Sequence, residues 1–269
     1  MSNLARMEQV GLIFEEQLER RELKLPILPR VAAMVIELTT DENSDALQLT
    51  KLIQGDQALA GHIMRIANSP LYRPISAFVS LQQAIARLGI VTIGELALAT
   101  SLNSNLFAAP GNEALLKGMW HDSLTRSAWS REIARMRKTN VESSFLAGLL
   151  CQIGKPVVVQ GVSEFDLTPA DLAFFIDRYY VRAGALLANI WQLPAVVGQV
   201  IINHSEVGYK GENDDVILNV QAAIGVTSEG VEHGLDSEIQ RNLNFYEEEL
   251  TVLKEKSQVV NSWVDTVDV

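Results

Sequence analysis

The sequence predicts an all-α fold, on three observations. Apolar residues recur three and four positions apart in segment after segment. Proline, glycine and small polar residues punctuate the ends of those segments, and no stretch shows the period-two alternation of a half-buried strand. The composition agrees: with 48% apolar and 20% charged residues among 269, the chain has the balance of a globular protein and core volume for one large domain or two small ones.

Charge and cysteine usage narrow the classes. The net charge of −11 makes the long-range field unfavourable for phosphate backbones, so nucleic acid is a disfavoured partner. The acidity is concentrated: residues 228–269 hold ten Asp and Glu against three Lys and Arg, a net of −7. A single cysteine excludes an intrachain disulfide and suits a reducing compartment. No apolar run approaches the roughly 18 residues that a membrane span needs. Met1 to Arg21 carries Glu15, Glu16 and Glu19 in place of a secretory apolar core. A cytoplasmic chain without a membrane anchor is the expectation.

Taken in order, Val10, Ile13, Phe14 and Leu18 form the stripe of an amphipathic helix within residues 1–24. Leu25-Pro26-Ile27-Leu28-Pro29 breaks it, since each proline disfavours helix at the residue before it. Val31, Met34, Val35 and Leu38 restart the stripe. Asp41 or Ser44 caps a segment with Leu49, Leu52 and Ile53, which Gly55 ends. Asp56 caps the helix carrying Leu59, Ile63 and Ile66, and Asn68-Ser69-Pro70 stops it, Asn68 being suited to a left-handed C-terminal position. After a loop from Arg73 to Val79, Ser80 caps Leu81, Ala84, Ile85 and Leu88, and Gly89 ends them. Thr92 opens the next helix, with Ile93, Leu96, Ala97 and Thr100 on one face.

The polar break from Asn103 to Gly111 divides an N-terminal lobe, residues 25–105, from a second lobe, residues 112–225. The second lobe begins with a long helix from Glu113 to Lys138 that turns Leu116, Trp120, Leu124, Ala128 and Ile133 inward. Asn140 precedes a helix with Phe145, Leu146, Leu149, Leu150 and Ile153. Gly154 would close it in the left-handed conformation, and Lys155 would answer the carbonyl end of its dipole. Thr168-Pro169-Ala170-Asp171 supplies a cap, a proline at the first helical position and an acid in the first turn of a helix reaching Trp191. Pro194 opens a short helix through Asn203, Asp215 to Thr227 forms another, and Phe245 to Val267 is a last amphipathic one in an acidic extension, residues 226–269.

From Leu25 onward several landmarks follow a fixed order. They include Leu25-Pro26 and Leu28-Pro29, Arg65-Ile66-Ala67-Asn68-Ser69, Ala84-Ile85 with Leu88-Gly89, Trp120 with Ser123, Gly148-Leu149-Leu150 with Ile153-Gly154-Lys155, and Trp191 with Leu193-Pro194. This order resembles the HDOD family, relatives of HD-type phosphohydrolases found in bacterial signalling proteins, over about residues 20 to 225. The resemblance implies an HD-like helical core with an additional N-terminal helical lobe, residues 25–225 as the domain, and a role in signalling or regulation.

An HD-type hydrolase grips one or two cations with imidazoles and carboxylates, which lowers the pKa of a bound water. The resemblance identifies four ligand positions. Where the family pattern has His before Ser123 the chain has Asp122; His121 stands one residue early, about 100° away around a helix. The His-Asp pair is Cys151-Gln152. Gln152 is neutral and a poor divalent ligand, and a lone Cys in an apolar run is ordinarily an inert filler. Four residues before Gly184, where relatives often show His, stands Tyr180. After Leu193-Pro194 a His pair is reduced to His204-Ser205. Only Asp122 and His204 keep ligand chemistry, and two side chains rarely hold a catalytic metal, so neither metal nor cofactor is expected. His62 and His233 sit in unrelated contexts.

Other candidate ligand contacts are Asn68, Ser69, Lys155, Arg131 and Arg135. A helix stop and turn explain Asn68 and Ser69 as well. Arg131, Arg135 and Lys138 share a helix face, in the plainer reading a solvated face and in the sharper one an anion or nucleotide contact. No phosphate-cradling glycine loop, nucleophile elbow or spaced Cys-His zinc set occurs. The expected function is a non-catalytic signal-transduction module that binds a signalling protein or a small ligand such as a nucleotide, with a homo-oligomer left open. The alternative is a metal-dependent phosphohydrolase with an altered ligand set built on Asp122 and His204.

Overall fold

The computed structural model describes residues 3–23, 25–40, 46–72, 76–106, 109–231 and 235–268. Every regular element among them is a helix, in agreement with the all-α expectation. Asp41, Ser44 and His233 lie outside the described residues.

The N-terminal half contains α1 (Asn3–Arg20), α2 (Arg30–Thr40), α3 (Ala46–Gly55), α4 (Gln57–Ala67), α5 (Leu81–Leu88) and α6 (Ile90–Leu106). Val10, Phe14 and Leu18 bury the expected face of α1. The Asp56 carboxylate caps α4 by accepting the Leu59 N–H at 3.0 Å, and the Ser80 hydroxyl caps α5 by accepting the Gln83 N–H at 3.3 Å. Gly89 ends α5 at φ 85°, a conformation that favours glycine. α6 starts at Ile90, two residues before the expected Thr92, and buries Ile93, Leu96, Ala97, Leu98, Ala99 and Leu102. It is therefore apolar nearly all round, and α2, α3, α4 and α5 pack on it.

The second half contains α7 (Glu113–Arg137), α8 (Val141–Leu150), α9 (Gly154–Gly161), α10 (Pro169–Ile190), α11 (Ala195–Asn203), α12 (Asp214–Glu229), α13 (Ser237–Leu243) and α14 (Glu247–Val267). The spine is α7, against which α8, α12 and α14 pack, while α9 lies along α10. Leu116, Trp120, Leu124, Ala128 and Ile133 are all buried, as their spacing predicts. Thr168 and Asp171 form the reciprocal cap of α10. The acidic C-terminal helix buries Leu253, Val260, Trp263, Val264 and Val267.

Two local expectations are corrected. Asn68 ends α4 at φ −89°, not in the left-handed region. Gly154 does not close a helix. α8 stops at Leu150, residues 151–153 turn, and Gly154 opens α9, an element not anticipated from the sequence, as α13 was not. Lys155 consequently lies at a helix N-terminus, where its charge opposes the dipole.

No single helix among the described residues is long and apolar enough to cross a membrane. The bent pair α5–α6 passes by length and composition, but its members meet at 118° and the apolar residues of α6 fill the core.

Candidate functional site

Several of the positions at which the resemblance places metal ligands lie near one another, through the Tyr180–His204 hydrogen bond and the shared cleft wall of Asp122, Lys155 and Tyr180. α7 supplies Asp122, Ser123 and Arg126, the end of α8 Cys151, the start of α9 Lys155, α10 Asp177 and Tyr180, and the end of α11 His204. Two glycines allow this closeness. A Cβ on Gly148 would come within 2.5 Å of the Ser130 Oγ and 3.0 Å of the Arg126 carbonyl oxygen, so α8 sits directly on α7. A Cβ on Gly154 would overlap the Tyr180 carbonyl oxygen and approach the Gly184 nitrogen to 2.5 Å, so the first turn of α9 rests on the backbone of α10. Gly154 is required by this contact, not by a left-handed φ.

Both nitrogens of His204 are engaged. Nδ1 faces the carbonyls of Val200 and Ile201 at 3.1 and 3.0 Å, so it carries the proton and donates it. Nε2 therefore accepts from the Tyr180 hydroxyl at 3.1 Å, and the two rings meet edge-on at 5.7 Å. Burial lowers the His204 pKa; its backbone bonds oppose this, and the charges of Arg126 and Lys155 reinforce it, so the buried imidazole stays neutral. Burial pushes the Cys151 thiol up, against the pull of Arg126 and Lys155, and Sγ donates to the Gly148 carbonyl at 3.4 Å. Gln152 is partly exposed and its carbonyl accepts the Lys155 N–H at 3.0 Å.

The group that sequence reasoning missed is Arg126. It is 5% exposed, its Nη2 donates to the Ser123 Oγ at 3.0 Å, and its charge acts on the neighbouring Cys151 thiol. The signal was available: Arg126 follows Asp122 by four residues, hence on the same helix face. Beside this core opens a cleft of about 520 Å³ whose lining includes Met119, Asp122, Lys155, Ile176, Asp177 and Tyr180. The Lys155 ammonium stands 5.5 Å from the Tyr180 ring centroid, and burial together with the Arg126 charge lowers its pKa.

A divalent metal does not fit this donor set. No group of three or more His, Cys, Asp or Glu side chains converges among the described residues. A buried guanidinium stands beside the set, burial keeps the thiol protonated, and the imidazole has no lone pair to spare.

The remaining candidates lie elsewhere. Asn68 clamps the loop before α5: its side chain accepts the Phe78 N–H at 2.7 Å and donates to the Phe78 and Met64 carbonyls at 3.1 and 3.0 Å. Ser69 forms the adjoining turn, its N–H donating to Ile66. Arg131 is not on a solvated face. It is buried, donates to Glu95 at 2.8 Å and stacks over Trp263 and Phe145 at 5.0 and 5.7 Å. Arg135 is half-exposed and donates to Glu132 at 2.6 Å.

The HDOD domain profile matches residues 25–166. No curated protein matches the sequence. A Shewanella amazonensis protein named as a candidate metal-dependent phosphohydrolase has a similar structure, with TM-score 0.73, 20% identity and 98% of each chain covered. An HDOD domain protein with unknown function from Geobacter sulfurreducens gives TM-score 0.70 at 20% identity, over 94% of this chain and 96% of that one. A Marinobacter aquaeolei protein named as a candidate signal transduction protein gives 0.69 at 18% identity, over 100% of this chain and 68% of that one. At these identities the likeness concerns the fold.

Proposed function

The chain belongs to the HDOD domain family, and from that premise we propose that it is a non-catalytic signal-transduction module that acts by binding a partner protein or a small ligand. The observation that supports this reading is the donor chemistry of the site, where both His204 nitrogens are already hydrogen-bonded and the Cys151 thiol is buried. Hydrolysis in an HD-type enzyme needs a cation that accepts a water and ionises it. The buried cation beside these groups is Arg126, whose guanidinium has only donors and no means of ionising a water. The Cys151 thiol and the His204 imidazole serve that arrangement as neutral neighbours.

The alternative, a metal-dependent phosphohydrolase relying on Asp122 and His204, draws on the name of the Shewanella protein. Metal analysis of the purified chain, with a phosphodiester turnover assay in added manganese, separates the two. The binding module yields metal far below stoichiometry and no turnover. A stoichiometric transition metal, lost in the double variant Asp122→Ala, His204→Ala, would overturn it.

A further inference from the structure

Two helices that meet along one side of the fold leave an apolar seam uncovered. α1 and α10 run in the same direction. Arg6 pairs with Asp166, a Cβ on Gly11 would stand 3.2 Å from the Tyr179 hydroxyl and 3.7 Å from the Phe175 ring, and Glu15 reaches Arg178 and Arg182 at 4.0 and 3.5 Å. Val10, Phe14, Phe175 and Tyr179 fill the buried side of this contact. On its outer side lies a groove of about 750 Å³, whose walls include Leu12 of α1 and Phe174 of α10. Leu12 is 68% exposed and Phe174 53%, so the two form an open apolar centre.

The charges flanking that centre are ordered. Glu8, Leu12 and Glu15 make one outward stripe of α1, and Asp171, Phe174 and Arg178 make one of α10, each with its apolar residue in the middle. The end at Glu8 and Asp171 is acidic. At the other end two guanidiniums share the Glu15 carboxylate, which leaves Arg178 as surplus positive charge. Arg178 is held over Tyr179, whose ring centroid is 5.5 Å away, and its Nε donates to the Tyr179 hydroxyl at 3.2 Å. Glu8 lies four residues before Leu12 and Arg178 four after Phe174, about 6 Å to either side of the centre.

An apolar centre with acid at one end and base at equal remove at the other is its own complement when turned by 180°. We propose that this face is a homodimer interface, in which a second copy of the chain packs its Leu12 and Phe174 on those of the first about a two-fold axis normal to the groove. The rotation lays α1 and α10 of one copy antiparallel to those of the other, as in a four-helix bundle, and sets Glu8 of each copy against Arg178 of the other. A foreign partner would call for no such symmetry of charge. Two adjacent helices each about 10 Å wide, with the 18-residue α1 about 27 Å long, offer a footprint on the order of 500 Å² per copy. The total of roughly 1,000 Å² is at the low end for a specific interface, so the dimer is reversible. Tyr180 stands six residues beyond Phe174, about 240° round α10, so the interface lies on another face from the Tyr180–His204 pair and does not depend on what that site does.

The test is sedimentation equilibrium of the full chain through the micromolar range, with circular dichroism to confirm that each variant is folded. A monomer–dimer equilibrium is expected, with its dissociation constant raised at least tenfold in Leu12→Glu and in Phe174→Glu, both exposed positions. Glu8→Arg and Arg178→Glu should each weaken the dimer, and an equimolar mixture of the two variants should associate as a heterodimer, because each then meets the opposite charge at both ends. A chain monomeric at every concentration, or a dimer that the two apolar variants leave intact, overturns the inference. So does a mixture that associates no better than its components, since the antiparallel pairing of Glu8 with Arg178 is then absent.

Discussion

Arg131 of α7 donates to Glu95 of α6 at 2.8 Å, with both side chains buried, and so ties the N-terminal helices to the spine of the second half. The guanidinium is covered by Trp263 of α14, and the neighbouring Glu132 gathers Arg131, Arg135 and Lys256. Removing Arg131 leaves a buried carboxylate without its cation. Arg131→Met should therefore lose roughly 3–5 kcal/mol of stability, the cost typical of breaking a buried pair from one side. The double variant Glu95→Leu, Arg131→Met should recover much of it. Urea unfolding curves decide the matter; equal losses in the single and double variants would show that the pair is not the source.

Gly154 and Gly61 make a matched pair. A methyl at Gly154 runs into the α10 backbone, which has no side-chain freedom to give way, whereas nothing lies within 4 Å of a Cβ at Gly61 in the interior of α4. Gly154→Ala should cost about 3 kcal/mol through overpacking. Gly61→Ala should add roughly 0.5–1 kcal/mol by favouring helix. Thermal melts of the two variants should move in opposite directions.

His204 sets a pH dependence. Its folded pKa lies below the ordinary value of 6.5, chiefly through burial, so the unfolded chain binds more protons in the interval between the two. Stability from this residue is thus complete above 6.5 and is lost as the pH falls toward the folded pKa. His204→Gln should flatten that part of a stability–pH profile measured from pH 8 to 5. A profile with unchanged slope in the variant would assign the dependence to other groups.

Asn68 joins the end of α4 to the Phe78 segment through two side-chain hydrogen bonds to Phe78, with a third to the Met64 carbonyl of α4 itself. Asn68→Ala removes them all and leaves the Phe78 N–H without its acceptor. A loss of about 1–3 kcal/mol follows from an unsatisfied, partly buried backbone group. Hydrogen exchange should report the change first at the Phe78 amide. Unchanged protection there would mean the loop is held by other contacts.

Residue order alone determined most of the helices, α9 and α13 excepted, and many of their ends. Periodicity of apolar side chains and the chemistry of Asp56, Ser80, Asn140 and Thr168 are local properties, and the caps formed where they were expected. The positions at which the resemblance expects metal ligands could also be read from the chain, because the landmarks around Asp122, Cys151, Gln152, Tyr180 and His204 are short and linear. The role of Gly154 was not, since a close approach to α10 looks in sequence like a helix end. Nor was the difference between Arg131 and Arg126, which share one helix and one chemistry. Tertiary packing gave Arg131 a carboxylate from α6 and left Arg126 facing a thiol, a hydroxyl and a lysine. A charge is neutralised or stranded by what reaches it through space, and that neighbour is written nowhere near it in the chain.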